Sequence, residues 1–177
     1  MPELPAPVKR LVDAAARRGV ALEIRFFDRS THTAAEAAAA VGAEVGQIVK
    51  SLVFVSDGPL GTRPCLVLAS GANTVDVTLL ANALTEPGMR RATADEARQM
   101  TGYAIGGIPP FGHPQPIRTV MDPDLGRFEM LWAAAGTANA VFPIPPATLR
   151  VLADAIVTPV AAVRDQGSEQ LGPAPSG

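Results

Sequence analysis

A nine-residue apolar segment, Gln47 to Val55, constrains the fold more than any other part of the chain. β-Branched and aromatic residues dominate it and a Ser-Asp-Gly turn signal follows directly, so the segment predicts a β-strand. Apolar residues occupy both alternating faces, which is typical of a strand that is covered on both sides. We therefore expect this strand to lie inside the domain rather than against water.

Lys50 lies in the middle of this predicted strand, and the chain has only one other lysine, Lys9. Arginine supplies nearly all the remaining positive charge, although the two residues differ in reach, hydration and ease of pKa change. Residue types alone leave two interpretations open. Either the side chain runs along apolar surface with its charged head in water, or the ammonium belongs to a functional site.

At 177 residues the chain is long enough for one domain with a sizeable core, which we place at residues 1–165. Residues 166–177 are rich in glycine, serine and proline, and we expect a disordered tail there. No apolar run reaches the length of a membrane span, and no signal-peptide pattern is visible. The single cysteine, Cys65, excludes an internal disulfide and suits a reducing compartment, so we expect a cytoplasmic protein without a membrane partner.

The net charge of -2 argues against a protein that coats DNA or RNA by bulk electrostatics. Local basic patches remain compatible with this charge, although a solvated face without a partner is the simpler interpretation of each. The candidates are Arg17-Arg18, Arg25, Arg29 and Arg90-Arg91.

Helical and strand patterns alternate along the chain, which predicts a mixed α/β domain. Thr33 to Glu36 and Thr93 to Glu96 have the capping-box pattern that opens a helix, and each helix pattern ends at a glycine. The segments 47–55 and 64–70 predict an antiparallel pair. Helices are predicted over residues 8–18, 33–42, 78–84, 93–102 and from 145, and strands over 20–27, 47–55, 64–70, 89–92, 117–121, 128–133, 140–142 and 156–160.

A segment rich in glycine and proline, residues 102–114, contains Gly106, Gly107 and His113. It is too rigid and too sparsely charged for a flexible linker. Its glycines allow backbone conformations that a Cβ would block, and exposed N–H groups in such a loop can bind a ligand oxygen. A purely structural connection is the other interpretation, and composition does not choose between them. The second histidine, His32, precedes the first capping box and is open to the same two interpretations.

Several common catalytic motifs are missing from the sequence. There is no phosphate-binding loop of the G-x-x-x-x-G-K-[ST] type, no G-x-G-x-x-G, no H-E-x-x-H and no G-x-S-x-G. Two histidines and one cysteine are too few for a zinc site without carboxylates, and nothing positive adjoins Cys65 to activate it. We therefore expect no metal and no cofactor, and disfavour a metal- or triad-dependent hydrolase. One lysine, backbone amides and a hydroxyl or histidine remain as a candidate site.

An ordered set of motifs matches a known family over about residues 8 to 160. The set comprises Thr33 to Ala38 before Val41-Gly42, Gln47 to Leu52, Gly71, Ala92 to Glu96, Thr101 to Tyr103, Gly106-Gly107-x-x-Pro110-x-Gly112, Asp122 and Ala135-Gly136. In this order and spacing the chain resembles the YbaK/ProX-type aminoacyl-tRNA deacylases, a domain that also occurs as the editing insertion of bacterial prolyl-tRNA synthetases.

The resemblance implies a single compact α/β domain with a mixed, mostly antiparallel, partly barrel-like sheet and flanking helices. It implies hydrolysis, in trans, of the ester between a wrong amino acid and a tRNA 3′ end, with the tRNA acceptor end as partner and a synthetase as a further candidate partner. Lys50 matches the family's essential lysine and is the predicted catalytic residue. The predicted substrate-binding residues are His32, Ser51, Gly106, Gly107, Pro110, Gly112, His113 and Gly136.

Within this scheme we expect the Gly106 and Gly107 amides to border the ester carbonyl, and Ser51 and His113 to place the water or line the amino-acid pocket. Ser51 stands where a threonine is common and Ala134 where a serine is common, so the amino acid that is removed stays open. Alanine or cysteine on tRNA(Pro), and serine or threonine on another tRNA, form the range. A non-catalytic module that binds aminoacyl-tRNA or a synthetase, and a small-molecule ester hydrolase, are the alternatives.

Overall fold

A computed structural model describes residues 3–163, within which eight strands form one mixed sheet beside five helices. The helices are α1 (Ala6–Ala16), α2 (Ala34–Val41), α3 (Val77–Ala83), α4 (Ala94–Thr101) and α5 (Pro146–Ala153). The strands are β1 (Arg25–Phe26), β2 (Ile48–Gly58), β3 (Gly61–Ser70), β4 (Arg90–Arg91), β5 (Arg118–Met121), β6 (Leu131–Ala134), β7 (Ala140–Ile144) and β8 (Ile156–Val157). The predicted tail, residues 166–177, and the end of the predicted domain lie outside the described residues.

The sheet is ordered β1-β7-β6-β2-β3-β5-β8, with β4 as a second neighbour of β2. The β2–β3 hairpin is its longest ladder, and the predicted antiparallel pairing is confirmed from Val49 opposite Ser70 to the turn. Among the described ladders, β2–β6, β3–β5 and β5–β8 are parallel and the other four are antiparallel. The predicted mixed sheet is therefore confirmed.

Both capping-box helices begin at the predicted threonine. The Thr33 hydroxyl accepts from the Glu36 N–H, and the Thr93 hydroxyl accepts from the Glu96 N–H. In each case the glutamate reaches back: Glu36 accepts from the His32 N–H and Glu96 from the Thr93 N–H, at 2.8 and 2.9 Å. These short-range contacts satisfy orphan amide groups at the helix start, which is why four adjacent residues predict the boundary well.

β2 is covered on both faces, as its apolar pattern predicts. Val49, Val53 and Val55 belong to the main core, which also takes apolar residues from α1, α4 and α5. Phe54 faces a second core that includes Leu80 of α3. A third, smaller cluster joins Ile48 to two alanines of α2. Helices on both sides of the central strand fix its position in the molecule.

The predicted strand over residues 20–27 is wrong for most of its length, because only Arg25 and Phe26 pair, with β7. Val20, Leu22 and Ile24 pack against the main core, so their alternation reflects burial of every second residue without a neighbouring strand. The predicted strand over 156–160 likewise pairs only as Ile156–Val157. Alternation in sequence indicates which residues are buried, whereas strand pairing depends on a partner that is distant in the chain.

Candidate functional site

The site is built on a gap along one edge of β2. β3 covers the other edge, whereas this edge pairs with β6 at Ile48 and Val49 and with β4 at Phe54 and Val55. Residues 50–53, between these two ladders, have no partner strand, and a cavity of about 260 Å³ opens beside them. An open strand edge offers main-chain N–H and C=O groups to a ligand.

Lys50 lines this cavity, and a polar network holds it in place. Its ammonium donates a hydrogen bond to the main-chain carbonyl of Asn73. The Asn73 side-chain amide donates to the carboxylates of Asp122 and Asp124, each at 2.8 Å. Burial lowers the pKa of Lys50, the charge of Arg91 lowers it further, and the Asp122 carboxylate opposes the shift. An ammonium has three donors, so two remain available at the cavity wall.

Arg91 is the second cation of the cavity, while its neighbour Arg90 is structural. Successive residues of a strand project to opposite faces, so the two side chains of β4 diverge. Arg90 is paired with Asp57 and Glu96, at 2.7 and 2.8 Å. The Arg91 guanidinium lies 5.7 Å from the centroid of the Phe54 ring, forming a cation–π contact. Arg91 forms no ion pair with any residue between 3 and 163.

The charges around the cavity have one sign. The charged residues that line it are Lys50 and Arg91, and no carboxylate is among the described lining residues; His32, an exposed residue, also lines it. The remaining lining residues are mostly alanine, valine, isoleucine and threonine. Cations in a partly desolvated, carboxylate-free cavity favour an anionic ligand.

Ser51 also lines the cavity, on the opposite face of β2 from Lys50. It projects to the side of Val49 and Val53, toward the main core. Its Oγ is buried and has no hydrogen-bond partner among the described residues. Buried hydroxyls are normally paired, so this oxygen stands out.

The two adjacent glycines of the glycine-rich segment differ in place: one lines the cavity, together with two isoleucines of the segment, and the other lies in the packing behind it. Gly106 lines the cavity with a φ of +95°, a conformation that disfavours any side chain. The Gly107 N–H donates to the Ala104 carbonyl at 3.0 Å. The Gly107 donor is thus used within the turn in this structure, and the expected contact of both amides with the ester carbonyl stays a prediction.

Gly107 and Gly136 allow two loops to touch through their backbones. A Cβ on Gly107 would lie 2.8 Å from the Gly136 carbonyl oxygen, and one on Gly136 would lie 2.9 Å from the Pro7 carbonyl. Gly136 itself is buried and does not line the cavity. Its neighbours Thr137 and Ala138 do line it, so Gly136 positions the loop that forms this wall.

Pro110, Gly112 and His113 are not brought to the cavity. They border a separate open depression of about 520 Å³. His113 Nε2 is 2.9 Å from the Pro109 carbonyl oxygen, and the Tyr103 hydroxyl donates to the Gly112 carbonyl at 3.0 Å. Burial lowers the pKa of His113. The structure therefore does not bring His113 to the cavity beside β2, and its expected role in placing the water or lining the amino-acid pocket stays a prediction.

Sequence reasoning missed part of the site. Arg91 was visible only as one of several arginine pairs, and Asn73 carried no signal at all. Trp132, the single tryptophan of the chain, lines the cavity beneath the Arg25 guanidinium, which lies 4.7 Å from the centroid of one of its rings. Asp122 stood in the family motif, but its place in the Lys50 network needed the structure.

Residues 3–163 contain no cluster of three or more histidine, cysteine, aspartate or glutamate side chains arranged to hold a metal ion. None of the helices in this range is long and apolar enough to cross a bilayer.

Fold and cavity together define a small α/β domain whose cavity suits an anionic ligand beside an open strand edge. Residues 28–152 match the family model described as an aminoacyl-tRNA editing domain, which is more than half of the chain. The protein belongs to the aminoacyl-tRNA editing domain family.

Solved and curated relatives agree with this membership. A crystal structure described as a candidate trans-editing enzyme for prolyl tRNA synthetase is 42% identical, with a TM-score of 0.82, over 91% of this chain and 100% of that one. The uncharacterised protein YwhH of Bacillus subtilis is 28% identical over 72% of this chain and 78% of its own length. Proline–tRNA ligase of Streptococcus thermophilus is 33% identical over 43% of this chain, and the matched segment is only 12% of the length of that enzyme.

Proposed function

We propose that the protein hydrolyses, in trans, the ester that joins a small wrong amino acid to the 3′ end of a tRNA. Alanine or cysteine on tRNA(Pro) is the preferred substrate class, with serine or threonine on another tRNA as the wider range. The observation that carries the proposal is the pair of cations, Lys50 and Arg91, in a carboxylate-free cavity at the open edge of β2. Family membership and the likeness to a candidate trans-editing enzyme for prolyl tRNA synthetase support it.

The terminal phosphodiester supplies an anionic oxygen that the cavity suits, and the ester carbonyl oxygen becomes negative as the reaction proceeds. Lys50 has two free donors and binds the terminal phosphodiester or the ester oxygens, while Arg91 adds a second positive charge on the same wall. Gly106 borders the acyl group, because it lines the cavity where a side chain is disfavoured.

The reaction needs little covalent chemistry from the protein, because an aminoacyl ester is already activated. Water adds to the ester carbonyl carbon, and the negative charge develops on the carbonyl oxygen. The bond to the ribose oxygen then breaks, that oxygen takes the proton, and free amino acid and tRNA leave. A donor placed at such an oxyanion contributes about 10²–10³ in rate.

A panel of charged tRNAs tests the proposal. The purified protein is incubated with tRNA(Pro) carrying alanine, cysteine or proline, and with other tRNAs carrying serine or threonine, and ester loss is followed over time. Hydrolysis of at least one mischarged species with sparing of prolyl-tRNA(Pro) is expected. Binding without turnover would favour a non-catalytic module, and cleavage of free aminoacyl esters that tRNA does not inhibit would favour a small-molecule hydrolase.

A further inference from the structure

The β2–β3 hairpin carries three serines with shielded hydroxyls, and they differ in their partners. The Ser56 hydroxyl donates to the Glu86 carboxylate and the Ser70 hydroxyl to the Gly46 carbonyl, each at 2.8 Å. The Ser51 hydroxyl is buried without a partner among the described residues, and Ser51 is one of the residues that line the cavity. An unpaired buried hydroxyl destabilises the folded protein, so a ligand that forms a hydrogen bond with it removes that cost and binds more tightly.

The main chain of Ser51 is also directed at the cavity. The Ala92 N–H donates to the Val53 carbonyl at 3.0 Å across the gap edge of β2. Backbone groups alternate between the two edges of a strand, so the N–H and C=O of Ser51, two residues earlier, point to this same edge. Neither the β6 nor the β4 ladder reaches Ser51. One residue therefore offers a hydroxyl, an N–H and a C=O to the cavity.

The acyl group of the proposed substrate has a polar group that needs such an acceptor. Every aminoacyl ester has an α-amino group, and the described lining residues include no carboxylate to accept from it. Three threonines also line the cavity: the Thr33 hydroxyl already accepts from the Glu36 N–H, and the Thr31 and Thr137 hydroxyls can accept but lie outside the open edge of β2. Ser51 has two uncharged acceptor oxygens, its hydroxyl and its main-chain carbonyl, and it lies at the open edge of β2.

We propose that Ser51 is a specificity-determining residue that accepts a hydrogen bond from the substrate's α-amino group. This inference rests on the proposed function. It divides β2 by face: Lys50 projects toward the nucleotide end of the substrate, and Ser51, the next residue, projects toward the aminoacyl end. The alanine-rich wall formed by Ala92, Ala97, Ala133 and Ala140 then takes the small side chain.

The test uses two stable analogues in which an amide replaces the scissile ester at the tRNA 3′ end. One carries an alanyl group and the other a propionyl group, which differs only by lacking the α-amino group. Equilibrium binding is measured for the wild-type protein, for Ser51→Ala and for Ser56→Ala. We expect Ser51→Ala to lower the affinity for the alanyl analogue about 3- to 10-fold, as for the loss of one neutral hydrogen bond. Its affinity for the propionyl analogue should stay within about 2-fold of the wild-type value. Ser56→Ala, remote from the cavity lining, should change neither affinity.

Thermal unfolding gives a second readout, because Ser→Ala at a serine that only stabilises the fold would lower the unfolding midpoint, whereas we expect Ser51→Ala to raise it. Deleting an unpaired buried hydroxyl should raise the unfolding midpoint of Ser51→Ala by about 2–4 °C. Ser56→Ala should lower the midpoint, because it removes a hydrogen bond to the buried Glu86 carboxylate.

The outcomes separate this inference from the proposed function. Equal weakening of both analogues, weakening of neither, or a lower midpoint for Ser51→Ala would overturn the role of Ser51 even if the wild-type protein hydrolyses alanyl-tRNA(Pro). If the wild-type protein cleaves none of the charged tRNAs and binds both analogues alike, the proposed function fails as well.

Discussion

Two open regions of the molecule contain residues that could do chemistry, and they differ in how their polar groups are satisfied. In the cavity beside β2, the Ser51 hydroxyl is unpaired and Arg91 has no ion pair among the described residues. In the depression beside His113, the imidazole is bonded to the Pro109 carbonyl and Arg118 to the Glu86 carboxylate. Groups that are already paired inside the protein stabilise the fold, whereas unpaired groups at an open edge are available to a ligand. Lys50 fits the same contrast in part, because it is bonded to the Asn73 carbonyl and keeps two donors without a partner among the described residues.

The largest expected effect tests the cavity directly. Lys50→Ala should lower kcat/KM for a mischarged tRNA by about 10²–10³, since it removes the cation that binds the terminal phosphodiester or the ester oxygens. Steady-state deacylation, with circular dichroism to confirm folding, measures the effect. Lys9→Ala is the matched control: Lys9 is exposed and paired with Asp13 on α1, so its removal should leave the rate unchanged. Full activity of Lys50→Ala would contradict the assignment of this lysine.

The next largest effect concerns the loops that bring Gly106 to the cavity. Gly107→Ala places a Cβ 2.8 Å from both the Gly136 carbonyl oxygen and the Thr137 Cα, and backbone atoms cannot move aside cheaply. We expect the free energy of unfolding to fall by about 1–3 kcal/mol, with a loss of deacylation as the loops separate. Urea unfolding measures the first effect. Gly88→Ala, which meets nothing within 4 Å, should change stability by less than about 0.5 kcal/mol. Equal behaviour of the two variants would show that the loops do not pack as described.

A pair of arginines gives an intermediate effect that sharpens the contrast between the two regions. Arg91→Gln should lower kcat/KM for a mischarged tRNA about tenfold and reduce its salt dependence by about one phosphate contact, with little effect on stability. Arg118→Gln should lower the stability and leave kcat/KM nearly unchanged, because Arg118 is paired with the buried Glu86 carboxylate and does not line the cavity. Deacylation between low and moderate salt, together with thermal unfolding, separates the two. Loss of activity in Arg118→Gln with unchanged stability would reverse our assignment of the regions.

Local sequence signals predicted the parts of the fold that short-range contacts decide. The helices that begin after Thr33 and Thr93 and the β2–β3 hairpin each depend on residues that are close together in the chain. The gap in the β2 edge was not predictable in this way. It exists because β6 pairs with only two residues at one end of β2 and β4 with two near the other, and both strands come from distant segments.

Of the candidate site, the sequence could single out one residue, Lys50, but not the residues that surround it. Lys50 was unusual by its type and position, whereas Arg91 could be told from Arg90 only once the strand register set which of them faces the cavity. The position of His113 was not predictable from its neighbours in the sequence. His113 follows a glycine-rich motif in sequence, but the turn closed by the Tyr103–Gly112 hydrogen bond directs it elsewhere.

The smallest expected effect comes from His113 and is confined to stability. Burial lowers the pKa of His113, so the folded protein favours the neutral imidazole more than the unfolded chain does. As the pH falls below the unfolded-state pKa of His113, about 6.5, the unfolded chain binds more protons than the folded protein does. The contribution of His113 to the free energy of unfolding is therefore present above that pH and is lost as the pH falls toward the lower folded-state pKa. His113→Gln should flatten the fall in unfolding free energy between pH 7.5 and pH 5.5, as measured by urea unfolding at both values, while deacylation stays within about twofold of wild type. A large loss of deacylation in His113→Gln, with an unchanged pH dependence of stability, would mean that the depression beside His113 takes part in the reaction and that the contrast between the two regions fails.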